Sequence, residues 1–282
     1  MKRLRLGYIY DEPNFGKDEE FFINLSKEKK IDLVLINIAK DIGEDQLEEK
    51  VKNCDLIFNN SGEEFAYEII KTLETLGKKV IDSSKTYYYT EDKWIFFLKC
   101  KENKIPTPET ILLSRNLSMA RKDLRVFNHW PVVLKRVWGT MGEYVEKAEN
   151  LNEAERVIKK FWKDGIERLP IIAQEMICSP SYRVMTIGDE IIQTALKENN
   201  GWKCTGVYEK KFEKFEIDKE LERIIKKVIK VMDINICGID LLKKEGKWVV
   251  LEANSTPAFD FFEGERREVI GKVLDFLKSS KI

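Results

Sequence analysis

The sequence is short of the residues that many enzymes use for covalent catalysis and metal binding. It has one histidine, His129, and five scattered cysteines without a C-x-x-C pair. A single histidine excludes most zinc hydrolases and histidine-based nucleophilic triads. We expect His129 to be an exposed loop residue before Trp130-Pro131. An odd number of scattered cysteines argues against a disulfide framework or a zinc ribbon and favours a reducing compartment, so the predicted location is the cytoplasm.

The chain also lacks net charge and long apolar runs. It has 49 basic and 49 acidic residues, so no global positive field would attract nucleic acid or an anionic membrane surface. No apolar run approaches the ~18 residues of a membrane-spanning helix, and the N-terminal segment predicts a first strand and not a signal peptide. Large apolar side chains are abundant, with six Trp, nine Tyr and fifteen Phe among 282 residues. These numbers predict a globular protein of about two domains' length.

Short apolar runs alternate with helical patterns through residues 1–83. The runs LRLGYIY, IDLVLINI, CDLIFNN and KKVIDSS predict strands, and helical patterns lie between them near 18–30, 44–53 and 63–77. This alternation predicts βαβ units and a parallel sheet. Because no G-x-G-x-x-G follows the first strand, a dinucleotide-binding domain is disfavoured. We predict a substrate-side domain instead, with ligands bound at strand ends such as residues 59–62.

A different pattern follows a long helix that is predicted over residues 86–103. Two prolines in the segment Ile-Pro-Thr-Pro then impose an extended connection. Beyond them the predicted strands are longer and often adjacent, which indicates largely antiparallel sheets. Helices are predicted at 152–164, 218–232 and 264–279.

The segment from Gly238 to Asn254 predicts a hairpin whose turn lies in the sequence KKEGK. With the turn centred on Gly246, Asp240 faces Glu252 across the pair of strands, and Asn254 follows on the same face. Two opposed carboxylates among apolar residues would repel each other, and a divalent cation would resolve that conflict. An oxygen donor set of this kind suits Mg²⁺. The alternative is a set of solvent-facing polar residues on an amphipathic hairpin.

Two further groups of residues have the chemistry of a phosphate site. Lys135 ends an apolar strand and precedes a loop with two glycines, whose backbone N–H groups could approach phosphate oxygens. The order is not that of a P-loop, and a plain hairpin turn is the alternative. Arg183 and Lys197 on strands could mark only a solvated face. Taken together with the acidic hairpin, these residues fit a triphosphate surrounded by cations and Mg²⁺.

The order of these motifs resembles the ATP-grasp superfamily, and within it the ribosomal-protein glutamate ligase-like carboxylate–amine ligases. The resemblance covers about residues 80–262 and rests on EDK with IPTPET downstream, VVLKRVWGTMGEYV, IIAQEMI, SYRVMTIGDEIIQTALK and GIDLLKKEGKWVVLEANSTPAF. It implies an N-terminal parallel α/β domain at 1–90, followed by an ATP-grasp fold of two α+β subdomains with largely antiparallel sheets. The central lid subdomain would span 91–180, and the C-terminal subdomain with the metal site would span 181–282.

The resemblance also assigns roles to individual residues around ATP. Lys93 and Lys135 would contact the phosphates or adenine, and Arg183 and Lys197 would stabilise negative charge during catalysis. The flexible lid over the phosphates would consist of Gly139, Thr140, Met141 and Gly142. The residues meeting adenine would be Gln174, Glu175, Met176 and Ile177. The ligands of Mg²⁺, or of Mn²⁺ in its place, would be Asp240, Glu252 and Asn254.

The reaction implied by the resemblance joins a small-molecule carboxylate to an amine or amino acid. ATP would phosphorylate the carboxylate, and the amine would displace phosphate from the acyl phosphate to give an amide, ADP and phosphate. By the same analogy we expect a homodimer or higher homo-oligomer.

Two alternatives stay open. Departures from the family pattern at Ser181, Glu198 and Thr205 favour the first alternative, a nucleotide-binding protein that no longer catalyses ligation, and Glu143 is a further departure. A carboxylation through carboxyphosphate is disfavoured because the sequence has no biotin-accepting segment.

Overall fold

The computed structural model describes residues 3–11, 15–41, 43–139, 142–163, 169–197, 202 and 212–280. Its strands form three sheets in these regions, one of them parallel and two antiparallel. The predicted mixed α/β class with largely antiparallel sheets after residue 90 is confirmed. No helix in the described ranges has the length and apolar character needed to cross a bilayer.

The N-terminal sheet has the strand order β2-β1-β3-β4, and its neighbouring strands run parallel. The strands are β1 (Arg5–Tyr10), β2 (Asp32–Asn37), β3 (Leu56–Asn59) and β4 (Val80–Ile81). The helices between them are α1 (Lys17–Glu28), α2 (Glu44–Val51) and α3 (Ala66–Thr75). The alternation of apolar runs and helical patterns therefore predicted this βαβ arrangement correctly.

The helix expected over 86–103 is two helices, α4 (Ser84–Glu91) and α5 (Lys93–Glu102). Asp92 lies between them in an extended conformation, and its carboxylate accepts hydrogen bonds from the backbone N–H groups of Trp94 and Ile95. An aspartate that satisfies these first-turn donors starts a new helix. The prediction of one helix was wrong because the apolar pattern hides this cap.

The central sheet has the order β5-β8-β6-β7 and is antiparallel. Its strands are β5 (Thr110–Leu112), β6 (Val132–Arg136), β7 (Val145–Ala148) and β8 (Ile171–Glu175), and α6 (Leu117–Phe127) and α7 (Leu151–Lys163) cover it. The sequence patterns did not predict β5 and α6.

The C-terminal sheet has the order β11-β10-β9-β12-β13, again antiparallel. Its strands are β9 (Ser181–Ile187), β10 (Glu190–Lys197), β11 (Phe212–Glu213), β12 (Ile236–Lys244) and β13 (Lys247–Asn254). The helices α8 (Lys219–Met232) and α9 (Arg266–Ser279) complete this region. Helix α8 packs its apolar face on one side of the sheet, while α9 contacts α1 of the N-terminal domain.

The β12–β13 hairpin confirms that Asp240 faces Glu252 and that Gly238 faces Asn254. The register nearer the turn differs from the prediction, because Lys244 pairs with Lys247 across a two-residue turn of Glu245 and Gly246. Both turn residues have positive φ, 51° and 79°, as tight hairpin turns require. A bulge on β13 beside Leu241 then shifts the register by one residue and restores the predicted pairing at Asp240.

The three sheets lie within the three predicted segments, whose boundaries stay a prediction. One feature of the packing differs from those boundaries. Phe96, Cys100 and Ile105 belong to the apolar core between α8 and the C-terminal sheet, although residues 91–180 were assigned to the central subdomain. The helix α5 is thus part of the C-terminal body.

Candidate active site

The buried carboxylate of Asp240 is the centre of the site. Asp240 is 2% exposed, and strand register places it beside Arg183 on β9. The Arg183 Nη1 lies 3.1 Å from one carboxylate oxygen, and the Lys197 Nζ lies 3.3 Å from the other. Burial alone would raise the pKa of Asp240, but Arg183 and Lys197 hold it below the usual value. The carboxylate is therefore ionised at neutral pH.

Gly238 makes room for the Arg183 guanidinium. A Cβ atom at position 238 would lie 2.8 Å from Arg183 Cζ and 3.0 Å from the Pro257 Cβ. Arg183 Nη1 also donates to the Gly238 carbonyl at 2.9 Å. The side chain of Arg183 can lie across the strand in this way only because position 238 has no side chain.

Three oxygen donors of the hairpin suit a magnesium ion. Glu252 faces Asp240 across the two strands of the hairpin. The amide nitrogen of Asn254 donates to the Gly238 carbonyl at 3.2 Å, which leaves its oxygen on the opposite side. The candidate set thus has two carboxylates and one amide. In the described ranges no group of three or more His, Cys, Asp or Glu side chains could hold a metal ion. Oxygen donors of this number leave room for phosphate oxygens and water around Mg²⁺.

A cleft between the central and C-terminal sheets contains the residues predicted to meet ATP. Lys135 on β6 and Gln174 on β8 are 6% and 7% exposed, and Lys135 Nζ donates to the Gln174 Oε1 at 2.9 Å. Gln174 Nε2 in turn donates to Thr110 Oγ1 at 3.0 Å. Two adjoining cavities share this pair, and their other lining residues include Lys93, Glu252, Glu175, Met176, Ile177, Leu242 and Leu251.

The carboxylate of Glu175 connects the two walls of this cleft. Lys244 Nζ on β12 lies 2.8 and 2.7 Å from its oxygens, and the Glu109 backbone N–H donates to it at 3.0 Å. The hydrogen bond with Glu175 raises the pKa of Lys244. The side chain of Glu175 is therefore held by contacts across the cleft. The groups that the end of β8 can present to a nucleotide base are then those of the backbone.

Lys93 reaches the start of the glycine loop. Its Nζ donates to the Gly139 carbonyl at 2.7 Å, and its backbone N–H donates to the Val137 carbonyl at 3.0 Å. Gly139 and Gly142 have φ of 134° and 76°, which other residues rarely adopt. The predicted lid residues Thr140 and Met141 lie outside the described residues, as do Glu198 and Thr205.

The carboxyl edge of the N-terminal sheet lies close to the end of the β12–β13 hairpin. Asn60 Nδ2 donates to the Tyr8 hydroxyl at 2.8 Å, and that hydroxyl donates to the buried Glu19 at 3.2 Å. Gly62 approaches the loop after β13, since a Cβ there would lie 3.2 Å from Thr256 Oγ1. Residues 59–62, where the sequence predicts ligand binding, thus lie close to the loop that follows β13.

A family model described as the RimK-like ATP-grasp domain matches residues 90–276. The chain belongs to this family. A curated relative from Methanocaldococcus jannaschii, named coenzyme gamma-F420-2:alpha-L-glutamate ligase, is 28% identical over 195 residues, which cover 68% of this chain and 67% of the relative. A probable alpha-L-glutamate ligase from Haemophilus influenzae is 21% identical over 224 residues, covering 78% and 74% of the two chains.

Solved structures of other ATP-grasp proteins share the fold. A RimK domain ATP-grasp protein from Sphaerobacter thermophilus superposes with a TM-score of 0.77 at 17% identity, covering 96% of this chain and 98% of its own. The D-alanine–D-alanine ligase from Bacillus anthracis, crystallised with ATP, gives a TM-score of 0.74 at 16% identity, covering 99% and 97%. The family resemblance drawn from the motifs is confirmed, and the fold extends over the N-terminal domain as well.

Three residues of this ATP-grasp cleft were missed by the sequence patterns. Leu251 lines both cavities, and the bulge on β13 is the reason that it lies there in addition to Glu252. Trp202 lines the cavity beside Met176 and Ile177. Phe261 lies beside Arg183 and Lys197. The one signal for these residues in the sequence is the aromatic run Phe259, Phe261 and Phe262 after Asn254.

Proposed function

We propose that this RimK-like ATP-grasp chain is an ATP- and Mg²⁺-dependent ligase that joins a small carboxylate to an amine or amino acid. One observation supports this most strongly. The buried Asp240, with Arg183 and Lys197 on its two oxygens, lies on the same hairpin as residues that line the cleft between the two antiparallel sheets. Cations beside a candidate Mg²⁺ site at the end of a cleft are what phosphoryl transfer needs.

The base and sugar end of ATP would lie in the cleft between β8 and the β12–β13 hairpin. Apolar side chains and the backbone at Met176 would bind adenine, while Lys135 and Lys93 would bind phosphate oxygens. Asp240, Glu252 and Asn254 would hold Mg²⁺, which neutralises phosphate charge and orients the γ-phosphate when bound. The chain's own cations, Arg183 and Lys197, would lie beside the group being transferred.

The proposed reaction has two steps and no covalent enzyme intermediate. A carboxylate oxygen attacks the γ-phosphorus, the bond to the β-phosphate oxygen breaks, and ADP leaves. The amine nitrogen then attacks the acyl carbon, loses a proton, and phosphate departs as the amide forms. Arg183 and Lys197 would stabilise the charge that develops on the transferred phosphoryl group and on the tetrahedral oxyanion.

The substrates belong on the side of the N-terminal sheet, near residues 59–62. Since two of the relatives are named glutamate ligases, we propose an amino acid as the amine and a small metabolite as the carboxylate. Cytoplasmic location and assembly into a homodimer or higher oligomer stay predictions of the sequence and of the family resemblance.

The test measures ADP and product masses in the same reactions, with ATP, Mg²⁺ and pooled amino acids and small carboxylates. We expect turnover that requires both a carboxylate and an amine, with a condensation product. Asp240→Asn should abolish that turnover, and Lys247→Met, an exposed change on the same hairpin, should leave it intact. Tight ATP binding without turnover in pools or in cell extract would favour the second candidate, a nucleotide-binding protein altered at Ser181 where relatives have an acid.

A further inference from the structure

The ring of Phe261 covers the two cations of the site. Its centroid lies 5.5 Å from the Arg183 Cζ and 5.5 Å from the Lys197 Nζ, which is within the range of a cation–π contact. The side chains of Arg183 and Lys197 are only 10% and 15% exposed. Two largely buried cations that should meet phosphate therefore lie beside an aromatic ring.

One contact holds the Phe261 ring itself, and two others anchor the segment that carries it. Phe261 packs edge-on against Phe212 with centroids 5.1 Å apart, and Phe212 pairs in register with Lys197 on the neighbouring strand. Two residues earlier, the fully buried Phe259 contacts Phe22 in the core. On the other side, Glu263 forms an ion pair with Lys17 at 2.9 Å. Phe261 itself is half-buried.

An acyl phosphate is exposed to a wasteful competing reaction. Water can attack the acyl carbon in place of the amine, the bond to the phosphate oxygen breaks, and a carboxylate, phosphate and a proton result. The net outcome is hydrolysis of ATP without an amide. Excluding water from the reacting group suppresses this side reaction.

We infer that Phe261 is a positioning residue that shields the acyl phosphate bound at Arg183 and Lys197 from water, and so couples ATP consumption to amide formation. This inference rests on the proposed ligase function. It predicts a specific phenotype, because loss of the ring should change the fate of the acyl phosphate more than the rate at which it forms. A ring with only a structural role would lower both rates together.

The neighbouring phenylalanine offers a matched control. Phe262 also contacts Phe212, with centroids 6.5 Å apart, but the cation under its ring is Lys214, at 5.5 Å. Lys214 is 61% exposed and pairs with Glu265. Phe262→Ala thus removes an equal amount of side chain from the same loop without uncovering Arg183 or Lys197.

The experiment uses hydroxylamine as the amine, since it traps acyl phosphates as hydroxamates. With the carboxylate that the wild-type protein turns over, hydroxamate and ADP are measured together for Phe261→Ala, Phe261→Leu and Phe262→Ala. We expect Phe261→Ala to raise the ADP formed per hydroxamate by about threefold or more. Phe261→Leu, which keeps apolar bulk, and Phe262→Ala should stay near the wild-type ratio. Thermal unfolding of each variant reports whether the fold is kept.

Each outcome decides the inference. If Phe261→Ala forms ADP and hydroxamate more slowly but in an unchanged ratio, Phe261 does not shield the acyl phosphate. The proposed ligase function would be unaffected by that result. A ratio that rises equally in Phe262→Ala also overturns it, since disturbance of the loop would then be the cause. If the wild-type protein forms ADP but no hydroxamate or amide with any carboxylate, the proposed ligase function is wrong. The proposed role of Phe261 is then wrong as well.

Discussion

The two walls of the cleft are built into the molecule in different ways. The C-terminal sheet shares one apolar core with the N-terminal sheet, in which Tyr8 and Phe58 pack with Met185, Ile236 and residues of α9. The central sheet has an apolar core of its own, formed, among the residues that the structure describes, by side chains from within 111–173. One wall therefore belongs to a body of two domains, and the other belongs to a separate unit.

Charged contacts strengthen the joined body. Helices α1 and α9 face each other, and ion pairs connect Lys29 with Asp275, Arg267 with Glu28, and Arg266 with Asp18. The central wall meets the rest of the protein through polar contacts such as Lys244 with Glu175 and Lys93 with the Gly139 carbonyl, and through Trp138, whose ring packs near those of Tyr67 and Tyr88.

This difference indicates how the site operates. The candidate metal ligands and the predicted substrate edge of the N-terminal sheet lie on the same joined body, so we expect little change in their mutual geometry when a ligand binds. We expect the central sheet to be the part that closes over ATP as a unit. Preorganised charge on the fixed wall is the arrangement that stabilises a transition state most effectively.

The largest expected effect compares one phenylalanine from each core. Phe259 in the shared core and Phe161 in the central core are 0% and 1% exposed, so Phe→Ala at either position should cost about 3–5 kcal/mol. We expect Phe259→Ala to weaken amide-exchange protection in both the N-terminal and C-terminal sheets. Phe161→Ala should weaken it in β5–β8 alone. Loss of protection in all three sheets for both variants would contradict the division into two bodies.

A smaller effect, confined to catalysis, is expected at Gly238 on the fixed wall. The Cβ of Gly238→Ala would collide with Arg183 and Pro257, and displacing Arg183 should lower turnover by about 10²–10³-fold while ATP still binds. The control is Gly271→Ala on α9, where the nearest atom to a new Cβ is 3.7 Å away. Steady-state kinetics and calorimetric ATP titration of both variants measure this, and equal losses of ATP affinity and turnover would argue against a charge-stabilising role for Arg183.

The sequence predicted strands and facing residues better than helix breaks, bulges and distant contacts, and particular residues show why. Alternating apolar runs are a local signal, so the parallel sheet and the facing of Asp240 and Glu252 followed from spacing. The bulge that brings Leu251 into the cleft leaves no local signal, and Asp92 looks like any helix residue until its side chain is seen to cap α5. Contacts such as that of Phe261 with Arg183 join strands and loops far apart in the chain, and one sequence does not encode them as a pattern.

The ion pair between Lys244 and Glu175 across the cleft offers a test, with a smaller expected effect, of whether the central sheet closes over ATP. Lys244→Met removes the cation that pairs with Glu175. Lys244 is 41% exposed, and an exposed ion pair contributes little free energy. We therefore expect the KM for ATP to rise only by roughly two- to fivefold. Lys247→Met, at the position opposite Lys244 in the hairpin, should have no effect on KM. A fall in turnover without a change in KM would indicate that the pair acts on the chemistry and not on closure.

A dependence of stability on pH is expected at the contact between the N-terminal and C-terminal sheets inside the joined body. Asp82, at the end of β4, is 3% exposed and accepts hydrogen bonds from the Asn235 side chain and backbone and from the Ile236 N–H. Burial raises its pKa to about 6 in spite of these bonds. Between about pH 4 and 6 the folded protein therefore keeps a proton that the unfolded chain has lost, and stability falls as the pH rises through this window. Urea midpoints across that range should show the slope in wild-type protein and a smaller slope in Asp82→Asn, which cannot titrate. An identical slope in both would mean that other groups cause it, and that ionisation of Asp82 does not influence the contact between the two domains.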